Sequence, residues 1–148
     1  MTNTAIKKPF PTVLLVDDSS VDNFVNAKII SFYHFADSII EFTKAKKALK
    51  YIEKINFSSS KTEQPFLLFL DLNMPEMSGV EFLSAFNLLP EVIKKNFKII
   101  VLTSSSNPAD VEECKKIDSV IAFFCKPLIN CDLEELEQIL SKKCEISS

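Results

Sequence analysis

The sequence predicts a doubly wound α/β domain: a five-stranded parallel sheet in the order 2-1-3-4-5 with helices on both faces. Three observations predict it. Five apolar runs of strand length alternate with five segments of helical periodicity along the 148 residues. The central run, FLLFL at 66–70, is apolar without alternation, as a strand covered on both faces must be. Each run also stops at polar or charged residues, and right-handed crossovers then leave few topologies, of which 2-1-3-4-5 is the common five-strand choice.

Residues 1–11 are polar with two prolines and read as a loose arm. TVLLV at 12–16 is the first strand, ended by Asp17-Asp18-Ser19-Ser20. Val21, Phe24, Val25, Ile29 and Phe32 fall at helical spacing, which predicts a first helix to about Tyr33 with these residues inward and a serine as its cap. The second strand is placed at 38–42, with Thr43 as the next cap. Ala45, Ala48, Leu49 and Ile52 give the second helix its stripe, and 56–64 is a polar loop without periodicity.

Pro65 opens the central strand, which ends at Asp71. The chain turns at Met74-Pro75, passes Ser78-Gly79, and begins an amphipathic helix over 80–86. Pro90 breaks helical continuity in the connection LLPEVIKKN. The fourth strand covers 97–102 and ends at Thr103-Ser104-Ser105-Ser106. Asn107-Pro108 then supplies a cap with proline at the first helical position, for a helix to about Ile117. The fifth strand, 120–125, ends at Lys126-Pro127. The last helix is predicted from Asp132, whose spacing to Glu135 suits a capping box, with Leu133, Leu136, Ile139 and Leu140 inward.

At 47% hydrophobic residues, a chain of this length buries a full core as one domain. A net charge of −3, with lysines in scattered pairs, speaks against nucleic-acid binding by phosphate neutralisation. Cys114, Cys125, Cys131 and Cys144 show no metal-ligand spacing and read as reduced thiols. With no signal peptide and no apolar run of membrane length, the expectation is a cytoplasmic protein without membrane contact. One glycine in the chain excludes a Gly-rich phosphate loop and singles out Gly79.

The predicted strand order brings Asp17, Asp18 and Asp71 to one edge, with Thr103 and Lys126 on the same rim. Converging carboxylates repel one another unless neutralised, and a hard divalent cation is the usual partner of an oxygen-only cluster, Mg²⁺ fitting best. Asp71 can then act as nucleophile toward a phosphoryl group, since aspartyl phosphate is an established covalent intermediate. Lys126 offers a positive charge and Thr103 a hydroxyl donor for the phosphoryl oxygens.

This constellation resembles the response-regulator receiver domain, the CheY-like family of two-component signalling, whose fold is a flavodoxin-like three-layer sandwich. The residues that carry the resemblance are Asp17-Asp18 after the first strand, Asp71 in LDLNMPEMSG, Thr103 in VLTSS and Lys126-Pro127. They span about residues 12–143, which places the domain at 12–145. The resemblance implies that Asp71 is the phosphoacceptor and that Asp18, Asp71 and the backbone carbonyl of Asn73 ligate Mg²⁺, with Asp17 helping through water. It implies a cis Lys126-Pro127 peptide, a switch role for Phe123 with Thr103, and tuning of dephosphorylation by Asn73 and Ser105. It further implies a sensor histidine kinase or histidine phosphotransfer protein as donor, and a chain that catalyses only its own phosphorylation and dephosphorylation.

The expectation is thus a stand-alone response regulator whose output is a protein contact or onward phosphotransfer, as a monomer or a phosphorylation-dependent dimer, with an unidentified downstream partner. Three features depart from the family pattern: the long loop 56–64, the absence of glycine before the fifth strand, and Phe123 where tyrosine is common. A flavodoxin-like FMN domain is the first alternative, disfavoured because Asp17-Asp18 would repel the FMN phosphate. An aspartyl-phosphate phosphohydrolase would want a second Asp where Asn73 stands. The strongest rival is a degenerate receiver used as a passive protein-binding scaffold. His34 is read as a surface-turn residue rather than a relay histidine, and Met74 and Met77 as loop packing.

Overall fold

A computed structural model describes residues 11–56, 65–104 and 107–147, with side chains described as far as Ser141. Apart from Pro11, the arm expected over residues 1–11 lies outside the described residues. So do most of the 56–64 loop, Ser105 and Ser106.

Five parallel strands, β1 (Thr12–Val16), β2 (Ser38–Phe42), β3 (Phe66–Leu70), β4 (Phe97–Thr103) and β5 (Val120–Cys125), form one sheet in the order β2-β1-β3-β4-β5. The helices are α1 (Ser20–Phe32), α2 (Ala45–Lys54), α3 (Gly79–Asn87), α4 (Glu91–Lys94), α5 (Pro108–Lys115) and α6 (Asn130–Ser147). Side chains alternate across the pleat, so the central strands feed two cores. Leu14, Val16, Leu68, Leu70, Ile99 and Val101 join residues of α2, α3 and α5 on one face. Val13, Leu15, Leu67, Phe69, Ile100 and Leu102 join residues of α1 and α6 on the other. Each such side chain, removed from water, contributes about 1.5–3 kcal/mol, which is why the fully buried positions of β1, β3 and β4 are apolar until the strands end, and the polar Thr12 and Lys98 stand at half-buried positions.

Four local expectations are corrected. The connection after α3 is not merely broken at Pro90: Pro90 caps the single turn α4, its carbonyl accepting from the Ile93 and Lys94 N–H groups at 2.9 and 3.1 Å. Helix α2 is capped by Lys44, without a side-chain bond, rather than by Thr43. Helix α6 starts at Asn130, and Asp132 accepts a bond from the Ile129 N–H at 3.1 Å, so the aspartate closes the first turn from inside it.

The largest correction concerns α1. Its buried residues are Asn23, Asn26 and Ile30, while Val21, Phe24 and Phe32 are 67%, 57% and 72% exposed, and Val25 is exposed as well. Hydrogen bonding decides the orientation. Asn23 Nδ2 donates to the carbonyls of Asp17 and Phe42 at 3.2 and 3.1 Å, tying α1 to the ends of β1 and β2. Asn26 Oδ1 accepts from the Leu128 N–H at 3.2 Å, tying it to the loop after β5. Backbone groups buried there without partners would cost more than the exposed apolar side chains do. On the outer face, Lys28 Nζ lies 5.3 Å from the centre of the Phe24 ring.

Candidate functional site

The sheet's hydrogen-bond ladder runs one residue past the strands and so fixes the backbone of the site. The Asp17 N–H donates to Phe42 O at 3.1 Å, the Asp71 N–H to Val16 O at 3.0 Å, and the Lys126 N–H to Thr103 O at 3.1 Å. Asp17, Asp71, Thr103 and Lys126 therefore sit on one rim although more than 100 residues separate the first from the last. Asp17, Asp71 and Thr103 are buried, and Asp18 is exposed.

Gly79 holds the β3–α3 loop against this rim. Its N–H donates to Leu72 O at 2.9 Å, and a Cβ at this position would lie 2.6 Å from Asp71 O and 2.7 Å from Leu72 Cα. No side chain fits without moving the backbone that carries Asp71. Next to it, Ser78 and Glu81 form a reciprocal capping box that starts α3.

Lys126 is the charge centre. Its Nζ lies 2.6 Å from Asp17 Oδ2, 2.8 Å from Asp22 Oδ2 and 3.5 Å from Asp71 Oδ2. The Lys126–Pro127 peptide is cis. Burial works to lower the Lys126 pKa, but the bonds to Asp17 and Asp22 and the field of Asp71 outweigh it and hold the ammonium well above its ordinary value. Asp71 shifts upward for the converse reason: burial and the neighbouring Asp17 charge disfavour its anion more than Lys126 and the Asn73 N–H favour it.

The other Asp71 oxygen, Oδ1, accepts from the Asn73 N–H at 3.4 Å, and Asn73 Nδ2 donates to Thr103 Oγ1 at 3.3 Å. Asn73 thus bridges the β3–α3 loop to the end of β4. Phe123 pairs with Val101 across the β4–β5 ladder, on the side of the sheet toward which Thr103 points, and packs at the edge of the core beneath α5. Ser105 lies outside the described residues. His34 is an exposed turn residue with φ of 52°.

Carboxylate oxygens of Asp17, Asp18 and Asp71 all lie within 4.8 Å of one another. Three oxygen donors so close, two of them buried and one facing solvent, suit a small hard cation. Asp18 also lines a cleft of about 220 Å³ between the β2–α2 and β3–α3 loops, together with Thr43, Lys44, Met74 and Met77.

Three residues of the rim escaped the sequence reading: Asp22, Asn23 and Asn26. Their signal is there in retrospect, because asparagine is a poor helix former, and two of them at 23 and 26 share a helical face with Ile30.

The family model of the response regulator receiver domain matches residues 13–141. The chain belongs to that family. Receiver domains are signalling domains of two-component phosphorelays, and they generally bind Mg²⁺ at an acidic Asp cluster. The rice (Oryza sativa subsp. indica) two-component response regulator ORR1 is 33% identical over 129 residues, 85% of this chain and 53% of its own. The chain thus spans about half the length of that relative. Sporulation initiation phosphotransferase F of Bacillus subtilis is 28% identical over 86 residues, 58% of this chain and 63% of its own. Among solved structures, a two-component response regulator from Cytophaga hutchinsonii superposes with a TM-score of 0.77 at 26% identity, covering 90% of this chain and 99% of its own. Among the described residues, no helix is long and apolar enough to cross a membrane.

Proposed function

We propose that this receiver accepts a phosphoryl group on Asp71 in an Mg²⁺-dependent reaction, from the phosphohistidine of a sensor kinase or phosphotransfer protein. The observation that carries the reading is the placement of one buried carboxylate, Asp71, at once beside the Lys126 ammonium and within an oxygen cluster suited to a cation. In the transfer, an Asp71 oxygen forms a bond to phosphorus as the phosphorus–nitrogen bond of the donor breaks, and the imidazole leaves. Lys126 faces the transferred oxygens with a fixed positive charge. Asp18, Asp71 and the Asn73 carbonyl are the ligands we assign to Mg²⁺, with Asp17 acting through water. When bound, the cation offsets the negative charge that gathers as phosphoryl meets carboxylate.

Mass spectrometry after treatment with acetyl phosphate tests this. Wild-type protein is expected to gain one phosphoryl group, on Asp71, with Mg²⁺ and not with excess EDTA. Asp18→Ala should lose the label at the same Mg²⁺ concentration. A label of normal rate in that variant would show that the ligand set is wrong, and a wild type that never takes label would favour a passive scaffold.

The same reading assigns the output to Thr103 and Phe123. A phosphoryl on Asp71 offers the Thr103 hydroxyl proton a charged acceptor, worth about 1.5–3 kcal/mol, whereas in the contact with the Asn73 amide the same hydroxyl is the acceptor. Thr103 drawn inward leaves room beneath α5, into which Phe123 turns; without a hydroxyl, Phe123 is held there by packing alone. Thr103→Ala is expected to take label yet lose the change in amide exchange over 103–126 that the wild type shows on phosphorylation. An unchanged exchange response in Thr103→Ala would remove Thr103 from the output path. The family resemblance assigns the tuning of dephosphorylation to Asn73 and Ser105, and both residue types are small and uncharged, so hydrolysis by water should be appreciable. We assign its output to protein contact or onward phosphotransfer in the cytoplasm.

A further inference from the structure

We propose that Asp22, in the first turn of α1, is a positioning residue that sets how much of the Lys126 ammonium is available to a phosphoryl group on Asp71. The inference rests on the reading of Asp71 as phosphoacceptor.

Asp22 is placed by its helix. Its backbone N–H donates to the capping hydroxyl of Ser19 at 3.1 Å, and the inward bonds of Asn23 and Asn26 fix the rotation of α1 about its axis. The side chain consequently reaches Lys126 across 104 residues of sequence, at 2.8 Å. It stands apart from the cation-suited cluster of Asp17, Asp18 and Asp71.

An ammonium has three N–H donors and no more. The two shortest contacts of Lys126 go to Asp17 and Asp22, at 2.6 and 2.8 Å, and the longest, 3.5 Å, goes to the phosphoacceptor. The lysine is therefore drawn toward α1, away from the atom at which charge builds up. Phosphorylation adds acceptor oxygens and negative charge at Asp71, and these compete with Asp22 for the same ammonium. Asp22 also repels an incoming anionic phosphodonor. Both effects oppose loading, and both come from its charge. The side chain is 41% exposed, so the opposition is modest and sensitive to salt.

The test uses the full chain with Mg²⁺ and two probes, beryllofluoride for affinity and acetyl phosphate for rate. With acetyl phosphate, the Asp71 oxygen–phosphorus bond forms as the donor's phosphorus–oxygen bond breaks and acetate leaves. Asp22→Asn keeps the size and polarity of the side chain and removes the charge. It is expected to bind beryllofluoride, and to take label from acetyl phosphate, roughly two- to fivefold more readily than wild type at low ionic strength. That gain should shrink in about 0.5 M salt, and Asp22→Glu should return to near wild-type values. A role confined to favouring the helix dipole would change the melting temperature alone. Equal or weaker beryllofluoride binding by Asp22→Asn, with label still on Asp71 in both proteins, overturns the role of Asp22. Absence of label on Asp71 in every variant overturns the phosphoacceptor reading and this inference with it.

Discussion

Asp71→Asn is expected to abolish phosphoryl labelling completely and, in Mg²⁺-free buffer at neutral pH, to raise the melting temperature. The two effects share one origin. Asp71 is buried 3.5 Å from Lys126, in a pocket it shares with Asp17, and its pKa is raised by burial first and by the Asp17 charge second. A carboxyl whose folded pKa exceeds its unfolded one binds its proton more tightly in the native state. Between the unfolded value of 3.8 and the raised native value, the native state then holds more protons than the unfolded chain, and stability falls as pH rises through that window. Above it, the ionised Asp71 carries its full penalty. The amide keeps the shape and the bond from the Asn73 N–H but has no charge to bury, so the penalty disappears along with the nucleophile. Thermal melts at pH 7 in EDTA, paired with mass spectrometry after acetyl phosphate treatment, check both halves. A variant that still takes label, or that melts below wild type, contradicts the account of the site.

The fold was legible because the strands are announced by apolar runs, interrupted only at Glu41 in β2 and Lys98 in β4, and each run is closed by residues that do not continue it. FLLFL stops at Asp71, TVLLV at Asp17, and VIAFFC at Lys126. The strand order follows from crossover handedness, and it brings the strand ends together without any knowledge of side-chain contacts. For the same reason the positions of Asp17, Asp18, Asp71, Thr103 and Lys126 on one rim could be read before any coordinates.

The face of α1 could not. Its sequence carries two interleaved patterns, one apolar at 21, 24, 25, 29 and 32 and one polar at 23 and 26, and of the apolar set Ile29 packs against the core while the other four are exposed. What turns the helix is the demand of three distant backbone groups, Asp17 O, Phe42 O and the Leu128 N–H, for partners. Those groups become neighbours only once the sheet has formed. Asp22 is hidden by the same logic, since its contact with Lys126 depends on how α1 is rotated. The misplaced start of α6 is a local case: Asp132 suits either the cap or the third position of the helix, and the bond it accepts from the Ile129 N–H decides for the latter.

Lys126→Met is expected to destabilise the protein by about 3–5 kcal/mol in the absence of Mg²⁺, the range found when one member of a buried ion pair is removed. Methionine fills nearly the same volume, so lost packing contributes little. What it leaves behind is Asp17 and Asp71, both buried, with no cation between them. The Asp22 contact adds little, because that carboxylate is partly in water. Two conditions separate this cause from a general packing defect. Acid should narrow the gap: with the lowering influence of Lys126 gone, the native Asp71 pKa rises further, the variant's native state holds its proton to higher pH, and its stability recovers more steeply than that of wild type as pH falls. Mg²⁺ should narrow it as well, since a divalent cation among the three carboxylates replaces part of the missing charge. Labelling should nevertheless stay far below wild type with Mg²⁺ present, because no fixed positive charge then faces the phosphoryl oxygens from the β5 side. Denaturant titrations of wild type and variant at pH 5 and pH 7, each with EDTA and with Mg²⁺, measure the deficit in the four conditions, and mass spectrometry after acetyl phosphate treatment measures the labelling. A deficit equal in all four would assign Lys126 to packing and leave the site without its charge centre.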